Sequence, residues 1–270
     1  MVELLEIDEQ IFIRKSSKGN QMKWEKDDMW YKADFTGYEG LTEYLISQLL
    51  VYSTLNADEF VIYNTEEIKY KKQKYLGCSS KDFLKKGWQI ITLERLFEQN
   101  FGWGLHKSLY SIEDHEGRIC FLVQQVERIT GLVDFGKYMS KIITIDALFL
   151  NEDRHTHNIA VLMDKNGNFD YCPIFDNGAG LLSDTTVDYP LNEDIYPMIK
   201  QVKSKTFLQS FDEQLDYVEK YYGHNLYFGF SKKDVEEILA EEQIYPQDIK
   251  ERVKNIIYYQ MDKYQYLFRK

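Results

Sequence analysis

Two short stretches decide the fold of this chain: Asn151-Glu-Asp-Arg-His-Thr-His-Asn158 and, further along, Phe175-Asp-Asn-Gly178. The segment between them has the composition of two short β-strands, and the polar residues 164–168 favour a turn that joins them. A β-hairpin is therefore predicted, and it would return Asp176 to Asn158. The two predicted strands are residues 159–163 and 169–175.

Three polar side chains in these stretches have a spacing that is typical of phosphoryl transfer. Such a site needs a carboxylate that orients the attacking hydroxyl, together with a carboxamide and a second carboxylate that hold the metal ion on the ATP phosphates. The usual order is Asp, four residues, Asn, and a later Asp-x-Gly. Asp153, Asn158 and Asp176 supply these groups in that order, so the sequence indicates a kinase-type site.

A kinase-type site also needs a cation for the α and β phosphates of ATP, and a glutamate that holds this cation. Lys32 lies in a predicted strand and Glu43 in the helix predicted to follow it, so both residues fit these roles. Glu39 lies one helical turn before Glu43 on the same face, and it is an alternative partner for Lys32.

The loop before Lys32 is a candidate phosphate-binding segment. Its residues Ser16-Ser17-Lys18-Gly19-Asn20-Gln21 lie between two predicted strands, where backbone N–H groups can bind phosphate oxygens. The loop has one glycine and so departs from the G-x-G-x-x-G pattern. By itself it is therefore a weak indication of nucleotide binding.

The residues next to Asp153 have several interpretations. Asp153, His155 and His157 resemble part of a zinc site, but no third nitrogen or sulfur ligand stands at metal spacing, so zinc is not predicted. We expect His155 to bind the backbone or the metal-binding carboxylate, and His157 to be exposed. Arg154 is expected to pair with phosphate or with a carboxylate of the loop.

Charge and cysteine content exclude several classes of protein. The 270 residues include 33 basic and 44 acidic side chains, and the net charge of −11 argues against a nucleic acid partner. The three cysteines are widely separated and predict neither a disulfide framework nor a zinc site. The N-terminal residues do not resemble a signal peptide, and no apolar run reaches membrane-spanning length. A cytoplasmic protein without a membrane partner is expected.

The first 95 residues are predicted to form a small sheet with one helix. The helix, residues 38–55, places Leu41, Leu45 and Leu49 at helical spacing. The basic run at residues 69–74 is predicted to be a solvated sheet edge. The predicted strands are residues 11–14, 22–24, 29–34, 60–63, 68–75 and 88–93.

Beyond a boundary placed near residues 94–96, the pattern becomes helical. Gly131 is expected to end the first of these helices, Ser231 to cap another, and Pro246 to begin the last. Residues 181–197 lack periodicity and predict a surface or substrate-facing loop. The predicted helices are residues 119–129, 135–150, 211–222, 232–241 and 247–268.

The two opening stretches resemble those of the HipA-like kinases, and Asp-Arg-His-x-x-Asn at 153–158 is also similar to the phosphatidylinositol 3/4-kinases. A third match decides between them. Ser16-x-x-Gly19-x-Gln21-x-Lys23 is similar to the HipA phosphate-loop pattern Ser-x-x-Gly-x-Gln-x-Lys. The resemblance to HipA-like kinases spans about residues 15–184, with separate segments matching in the same order.

This resemblance implies an α+β, two-lobed protein-kinase-like fold with a small N-terminal antiparallel sheet, one helix in that lobe, and a mainly helical C-terminal lobe. Residues 1–95 would form the ATP-binding lobe and residues 96–270 the catalytic lobe. The first predicted strand leads almost directly into the phosphate loop, so a compact form without an added N-terminal subdomain is expected.

The resemblance also implies a serine/threonine protein kinase that uses ATP and Mg²⁺. Asp153 would be the catalytic base, Asn158 and Asp176 would bind Mg²⁺, and Arg154 and His155 would support the loop. Phosphorylation of Ser16 by the kinase itself is implied as well. The residues implied to bind the nucleotide are Lys32, Glu43, Ser16, Ser17, Gly19, Gln21 and Lys23.

Two other functions are left open by the sequence. A lipid or small-molecule kinase is favoured by the shared Asp-Arg-His-x-x-Asn segment and disfavoured because no basic amphipathic helix is evident. A nucleotide-binding pseudokinase is disfavoured by the complete set of catalytic groups. The expected partners are a protein substrate and, in addition, a regulatory protein.

Overall fold

The structure is a computed structural model that describes residues 1–9, 21–110 and 112–268, apart from the side chains of residues 106 and 110. The predictions for Ser16, Ser17 and Gly19 lie outside the described residues, as does the strand predicted at 11–14.

The chain packs as two compact units, and each unit is discontinuous in sequence. The first comprises Met1–Asp82, Asp176–Val202 and Phe228–Lys270. The second comprises Phe83–Phe175 and Lys203–Tyr227. The linear division of the chain at residue 95 stays a prediction.

The first unit contains a five-stranded sheet with the strand order β1-β4-β5-β3-β2. Neighbouring strands are antiparallel except for β1, which runs parallel to β4. The predicted sheet is therefore antiparallel apart from this one short pair, whose direction the local sequence does not encode. The strands are β1 (Val2–Glu3), β2 (Lys23–Lys26), β3 (Met29–Ala33), β4 (Tyr63–Tyr70) and β5 (Gln73–Lys81).

Two strands predicted for this sheet are wrong. The strand predicted at residues 60–63 is not formed, because β4 begins at Tyr63. Residues 68–75 do not form a single strand, because β4 and β5 are joined by a tight turn at Lys71 and Lys72. Both lysines have positive φ, 45° and 67°, as the two central residues of a type I′ hairpin turn require. No Gly or Asn marks the turn, so the sequence carries no signal for it. The basic run is a hairpin tip and not a sheet edge, since β5 is an inner strand.

Helix α1 (Glu39–Leu50) packs on β4 and β5 through the predicted apolar face, and Leu41, Leu45 and Leu49 are fully buried there. The helix ends before the predicted residue 55. The helix runs beside the sheet that carries Lys32, and this places Glu43 of α1 near that lysine.

The second unit has a three-stranded antiparallel sheet of β6 (Trp88–Thr92), β7 (Ala160–Asp164) and β8 (Phe169–Tyr171). The predicted hairpin of β7 and β8 is confirmed. Strand β6 was predicted as part of the N-terminal sheet, and that assignment is wrong because β6 pairs with β7. Apolar packing around Ala160, Leu162 and Cys172 selects this partner, which lies far away in sequence.

Helices complete both units. In the second unit, α4 ends at Gly131 in the left-handed conformation, with φ 76°, as predicted. Helix α5 is buried along most of its length and packs on α7. The helices of this unit are α2 (Leu93–Phe101), α3 (Leu105–Tyr110), α4 (His115–Thr130), α5 (Phe135–Phe149) and α7 (Phe211–Tyr222).

The remaining helices belong to the first unit and are α6 (Ile195–Gln201), α8 (Lys232–Glu241) and α9 (Gln247–Lys263). Ser231 caps α8 as predicted. The loop predicted at 181–197 runs into α6, and the last predicted helix ends five residues early, at Lys263. Within the described part of the chain, no helix is long and apolar enough to cross a bilayer.

Candidate active site

Lys32 is the centre of a buried ion-pair network in the first unit. It lies on β3, and its ammonium is 2.7 Å from Glu43 Oε1 and 2.8 Å from Asp176 Oδ1. Burial acts to lower the pKa of Lys32, but the two carboxylates outweigh burial and raise the pKa well above its ordinary value. Lys32 is therefore held in the charged form that a phosphate-binding residue requires.

Glu43 connects two functional segments of this unit. One carboxylate oxygen accepts from Lys32, and the other accepts the backbone N–H of Asn177 at 2.9 Å. Asn177 directly follows Asp176, which has a left-handed φ of 62°. A single buried side chain on α1 thus fixes both the cation and the turn that carries a predicted metal ligand.

Glu39, the alternative partner of Lys32, has a different role. Its carboxylate accepts the backbone N–H groups of Phe35, Thr36 and Gly37 at 3.2, 2.7 and 3.1 Å. These residues form the connection that leads into α1, so Glu39 closes that connection at the first turn of its own helix. The geometry therefore pairs Lys32 with Glu43.

Asp34 ties the end of β3 to the start of α1. Its carboxylate accepts the N–H of Gly40 at 2.7 Å and the hydroxyl of Tyr245 at 2.8 Å. Burial, together with the charge of Glu39, raises the pKa of Asp34 to about 7. The strand of Lys32 and the helix of Glu43 are thus joined next to the ion-pair network.

The segment that follows Asp176 is partly buried. The Tyr38 hydroxyl donates to the carbonyl oxygens of Leu181 and Leu182 at 2.7 and 2.9 Å, and Arg252 Nε donates to the same hydroxyl at 3.2 Å. Both leucines have positive φ, 51° and 55°. The prediction of a surface loop at 181–197 is therefore wrong for its first residues, because buried apolar side chains and these hydrogen bonds hold them in the core.

Two residues of the predicted phosphate-binding set also belong to the first unit. Lys23 lies on β2 directly opposite Lys32 of β3, and Gln21 precedes that strand. The register places two cations as cross-strand neighbours, and Lys32 forms the buried ion pair with Glu43.

In the second unit, Arg154 anchors the loop between α5 and β7. Its Nε lies 3.1 Å from each carboxylate oxygen of Asp146, and Nη1 donates to the carbonyl oxygens of Phe175 and Asn158 at 2.6 and 3.3 Å. Arg154 is 1% exposed and Asp146 is fully buried. The expected partner was a phosphate or a loop carboxylate, and the structure supplies a helix carboxylate instead.

Asp146 was missed by the sequence reasoning. Burial raises the pKa of Asp146, and the Arg154 guanidinium opposes that rise. The side chain also accepts from Asn151 Nδ2 at 3.0 Å, so it holds both ends of the turn that leads to Asp153. An acidic residue among the mostly apolar side chains of the second half of this helix, four residues before its C-cap Leu150, is the signal that marks it.

Asp153 lies in this anchored loop, and its side chain is 10% exposed. His155 Nε2 is 3.7 Å from one carboxylate oxygen, and Lys205 Nζ is 3.5 Å from the other. His157 is exposed, as predicted, and its ring packs edge-on against His155. Lys205 is a second residue that the motifs did not reveal.

The loop has a further support on α2. Glu94 Oε2 accepts the hydroxyl of Thr156 at 2.8 Å, and the Glu94 N–H donates to the Thr156 carbonyl at 3.3 Å. Side chain and backbone of one residue thus hold the middle of the loop that carries Asp153.

Asn158 and Asp176 have the chemistry of Mg²⁺ ligands, because Mg²⁺ prefers carboxylate and carbonyl oxygens. Asn158 Nδ2 donates to the Asp153 carbonyl at 3.1 Å, which leaves Oδ1 on the opposite side of the planar amide. The Asp176 side chain is 22% exposed. Each residue therefore offers an oxygen donor of the kind that Mg²⁺ binds.

Comparison with known proteins supports the fold. No family model and no curated protein matches the chain. The structure is similar to that of the Helicobacter pylori proinflammatory kinase CtkA, with a TM-score of 0.60 and 15% sequence identity over 97% of this chain and 94% of that chain. Shewanella oneidensis MR-1 HipA, solved with HipB and operator DNA, has a TM-score of 0.47 and 12% identity over 89% of this chain and 59% of that chain.

The likeness to CtkA shows a common fold. The chain therefore has a kinase-like α+β fold, with a small N-terminal sheet and a mainly helical C-terminal part. The kinase fold that the HipA-like resemblance implies is confirmed.

Proposed function

We propose that this protein is a Mg-ATP-dependent kinase that transfers the γ-phosphate of ATP to Ser or Thr hydroxyls of a protein substrate. The observation that carries the proposal is the contact of one buried lysine, Lys32, with Glu43 and Asp176 in a protein with the kinase fold. This arrangement supplies a fixed cation for phosphates and a carboxylate for the metal.

Each residue has a separate task under this proposal. Lys32 binds the ATP phosphates, and Glu43 prevents the lysine side chain from turning away. Asp153 accepts a hydrogen bond from the acceptor hydroxyl and takes its proton as the hydroxyl attacks. Asn158 and Asp176 would each offer an oxygen donor to Mg²⁺, which would neutralise charge on the phosphates.

The rigidity of the Asp153 loop supports a catalytic role. Arg154 fixes the backbone at Phe175 and Asn158, while Glu94 holds Thr156. A general base is effective when its position is fixed before the substrate binds, because positioning then costs no further entropy.

Two single substitutions, Glu43→Gln and Glu39→Gln, form a matched pair of variants that tests this function. We expect wild-type protein to transfer labelled γ-phosphate from Mg-ATP to itself or to casein. Glu43→Gln should lower this rate by about 10²-fold, because Lys32 loses a charged partner. Glu39→Gln, one turn earlier on α1, should keep most of the wild-type rate, because Glu39 contacts the connection before the helix.

The measurements are the initial rate of label transfer, ATP binding by calorimetry, and thermal unfolding of each variant. ATP binding by the wild type with no transfer to any acceptor would contradict the kinase proposal and favour a pseudokinase. Equal losses in the two glutamine variants would contradict the assigned role of Glu43.

Ser16 is proposed as a site that the kinase modifies on itself. A phosphate on this residue adds about −1.5 to −2 charge to a segment proposed to approach the ATP phosphates, so we expect modified protein to be less active. Intact mass after incubation with Mg-ATP should rise by one phosphate. Ser16→Ala should prevent the increase. An unchanged wild-type mass would contradict this proposal.

We also propose a cytoplasmic location, which is supported by the free thiols of Cys78, Cys120 and Cys172. The proposed partners are a protein substrate and, in addition, a regulatory protein. Fractionation of cells and crosslinking of the Asp153→Asn variant to its substrate would test both points.

A further inference from the structure

A cation outside the sequence motifs lies beside the proposed catalytic base. Lys205 Nζ is 3.5 Å from Asp153 Oδ1, although the two residues are 52 positions apart in sequence. Resting on the proposed function, we infer that Lys205 is a further catalytic residue, which contacts the phosphoryl group as it passes to the acceptor hydroxyl.

The backbone that carries Lys205 is fixed by a buried side chain of α7. Gln214 is fully buried, and its Oε1 accepts the N–H groups of Phe207 and Leu208 at 2.8 and 3.2 Å. Gln214 Nε2 donates to Ser204 Oγ at 2.8 Å. One glutamine therefore holds the chain on both sides of Lys205, so the backbone position of Lys205 does not depend on its ion pair.

Burial alternates along this segment. Ser204 and Thr206 are buried, while Lys203 and Lys205 are exposed. The hydroxyl groups of Ser204 and Thr206 lie 3.3 Å apart in the interior. The alternation presents both lysines outward from a fixed backbone, and of these two Lys205 is the one in contact with Asp153.

The contact of Lys205 differs from that of Lys32. Lys32 is 11% exposed and binds its two carboxylates at 2.7 and 2.8 Å. The Lys205 side chain is 42% exposed, and its contact of 3.5 Å is longer than the distance of about 2.7–2.9 Å that is usual for a charge-assisted hydrogen bond. The Lys205 ammonium can therefore bind a second anion without leaving a tight ion pair.

A contact between the Lys205 ammonium and the phosphoryl group would be electrostatically favourable. The transferred phosphoryl group is negatively charged, and in the reaction it must approach the hydroxyl that Asp153 orients. Two anions around one oxygen atom repel each other, and a nearby ammonium stabilises both. Lys205 places an ammonium beside this carboxylate. His155 Nε2 lies 3.7 Å from it, but that ring carries charge only when it is protonated.

Phosphoryl transfer at this site exchanges one P–O bond for another. A bond forms between the acceptor oxygen and the γ-phosphorus while the bond from that phosphorus to the β-phosphate oxygen breaks, and ADP leaves with the electron pair. The hydroxyl proton passes to Asp153. Lys205 keeps its protons throughout and contributes charge alone.

Methionine in place of Lys205 removes the charge and keeps much of the side-chain length. We expect Lys205→Met to lower kcat for transfer to the protein itself or to casein by about 10²-fold, with KM for ATP changed less than threefold. Lys205→Arg should recover at least a tenth of the wild-type kcat. Lys203→Met removes the same charge two residues away and should leave kcat close to the wild-type value.

A binding measurement gives a readout that does not depend on turnover. With Mg²⁺, ADP and aluminium fluoride together mimic the phosphoryl group in transfer, whereas ADP alone does not. Lys205→Met should weaken binding of the mimic about tenfold and leave ADP binding unchanged. Thermal unfolding should be similar for the wild type and both methionine variants. If Lys205 had a purely structural role, the losses of kcat and of mimic binding would be accompanied by a lower unfolding temperature.

The outcomes separate this inference from the proposed function. If the wild type transfers phosphate and Lys205→Met matches Lys203→Met in kcat and in binding of the mimic, the role of Lys205 is overturned and the kinase function stands. If the wild type transfers phosphate to neither acceptor, both are overturned. Loss of kcat and of mimic binding in Lys205→Met alone, with recovery in Lys205→Arg, supports the inference.

Discussion

Asp153→Asn is expected to lower the rate of phosphoryl transfer by about 10³-fold while ATP binding stays close to that of the wild type. The replacement has nearly the same size, so the anchored loop should keep its shape, but an amide cannot take the proton of the acceptor hydroxyl. The loss should therefore appear in kcat. Initial rates of label transfer, with calorimetry of ATP binding, measure the two effects separately.

Asp170→Asn is the matched control for this variant. Asp170 is an exposed carboxylate on β8 of the same unit, and it accepts the N–H of the next residue. Its removal changes net charge by the same amount and should leave transfer unaffected. A rate for Asp153→Asn within tenfold of the wild type would contradict the role of Asp153 as the base.

Asp146→Ala is expected to reduce the free energy of unfolding by about 3–5 kcal/mol. The reason is that Arg154, 1% exposed, would keep a buried positive charge without its carboxylate partner. The hydrogen bonds that hold Asn151 and Arg154 to α5 would be lost as well. Urea unfolding followed by circular dichroism measures the change.

A control at the N-cap of the same helix, where the side chain makes no capping hydrogen bond, separates this effect from loss of a surface charge. Asp134 pairs with Lys137 at 2.9 Å, and its side chain is 58% exposed. Asp134→Ala should therefore cost only about 0–1 kcal/mol. Equal destabilisation by the two alanine variants would contradict the view that the Asp146 and Arg154 pair anchors the loop.

A double variant distinguishes stability from positioning. Asp146→Leu combined with Arg154→Met removes both buried charges and should recover much of the stability that Asp146→Ala loses. We expect this protein to remain poorly active, because the carbonyl oxygens of Phe175 and Asn158 lose the donor that fixes them. High activity in the double variant would show that Arg154 contributes stability alone.

Local signals explain why many elements were predicted from the sequence. Helices α7 and α8 have the predicted bounds, Phe211–Tyr222 and Lys232–Glu241, because their caps and apolar faces are encoded within a few residues. The hairpin of β7 and β8 follows from its turn residues for the same reason.

Long-range contacts explain the errors. The residues of β6 have the composition of a strand, but their sequence does not indicate that the strand pairs with β7, about 70 residues later. The turn at Lys71 and Lys72 uses residues that rarely adopt positive φ, and the strands on either side impose it. The free energy of local conformational preferences is small compared with the free energy gained when these pairings bury apolar surface.

The sequence by itself determined the chemical groups of the candidate site. Asp153, Asn158 and Asp176 were identified by spacing, because phosphoryl transfer requires those groups in a fixed order. Only the tertiary structure decided how cations and carboxylates pair: Lys32 with Glu43 instead of Glu39, and Lys205 with Asp153. The physical reason is that an ion pair depends on distance in space, which folding sets between residues far apart in the chain.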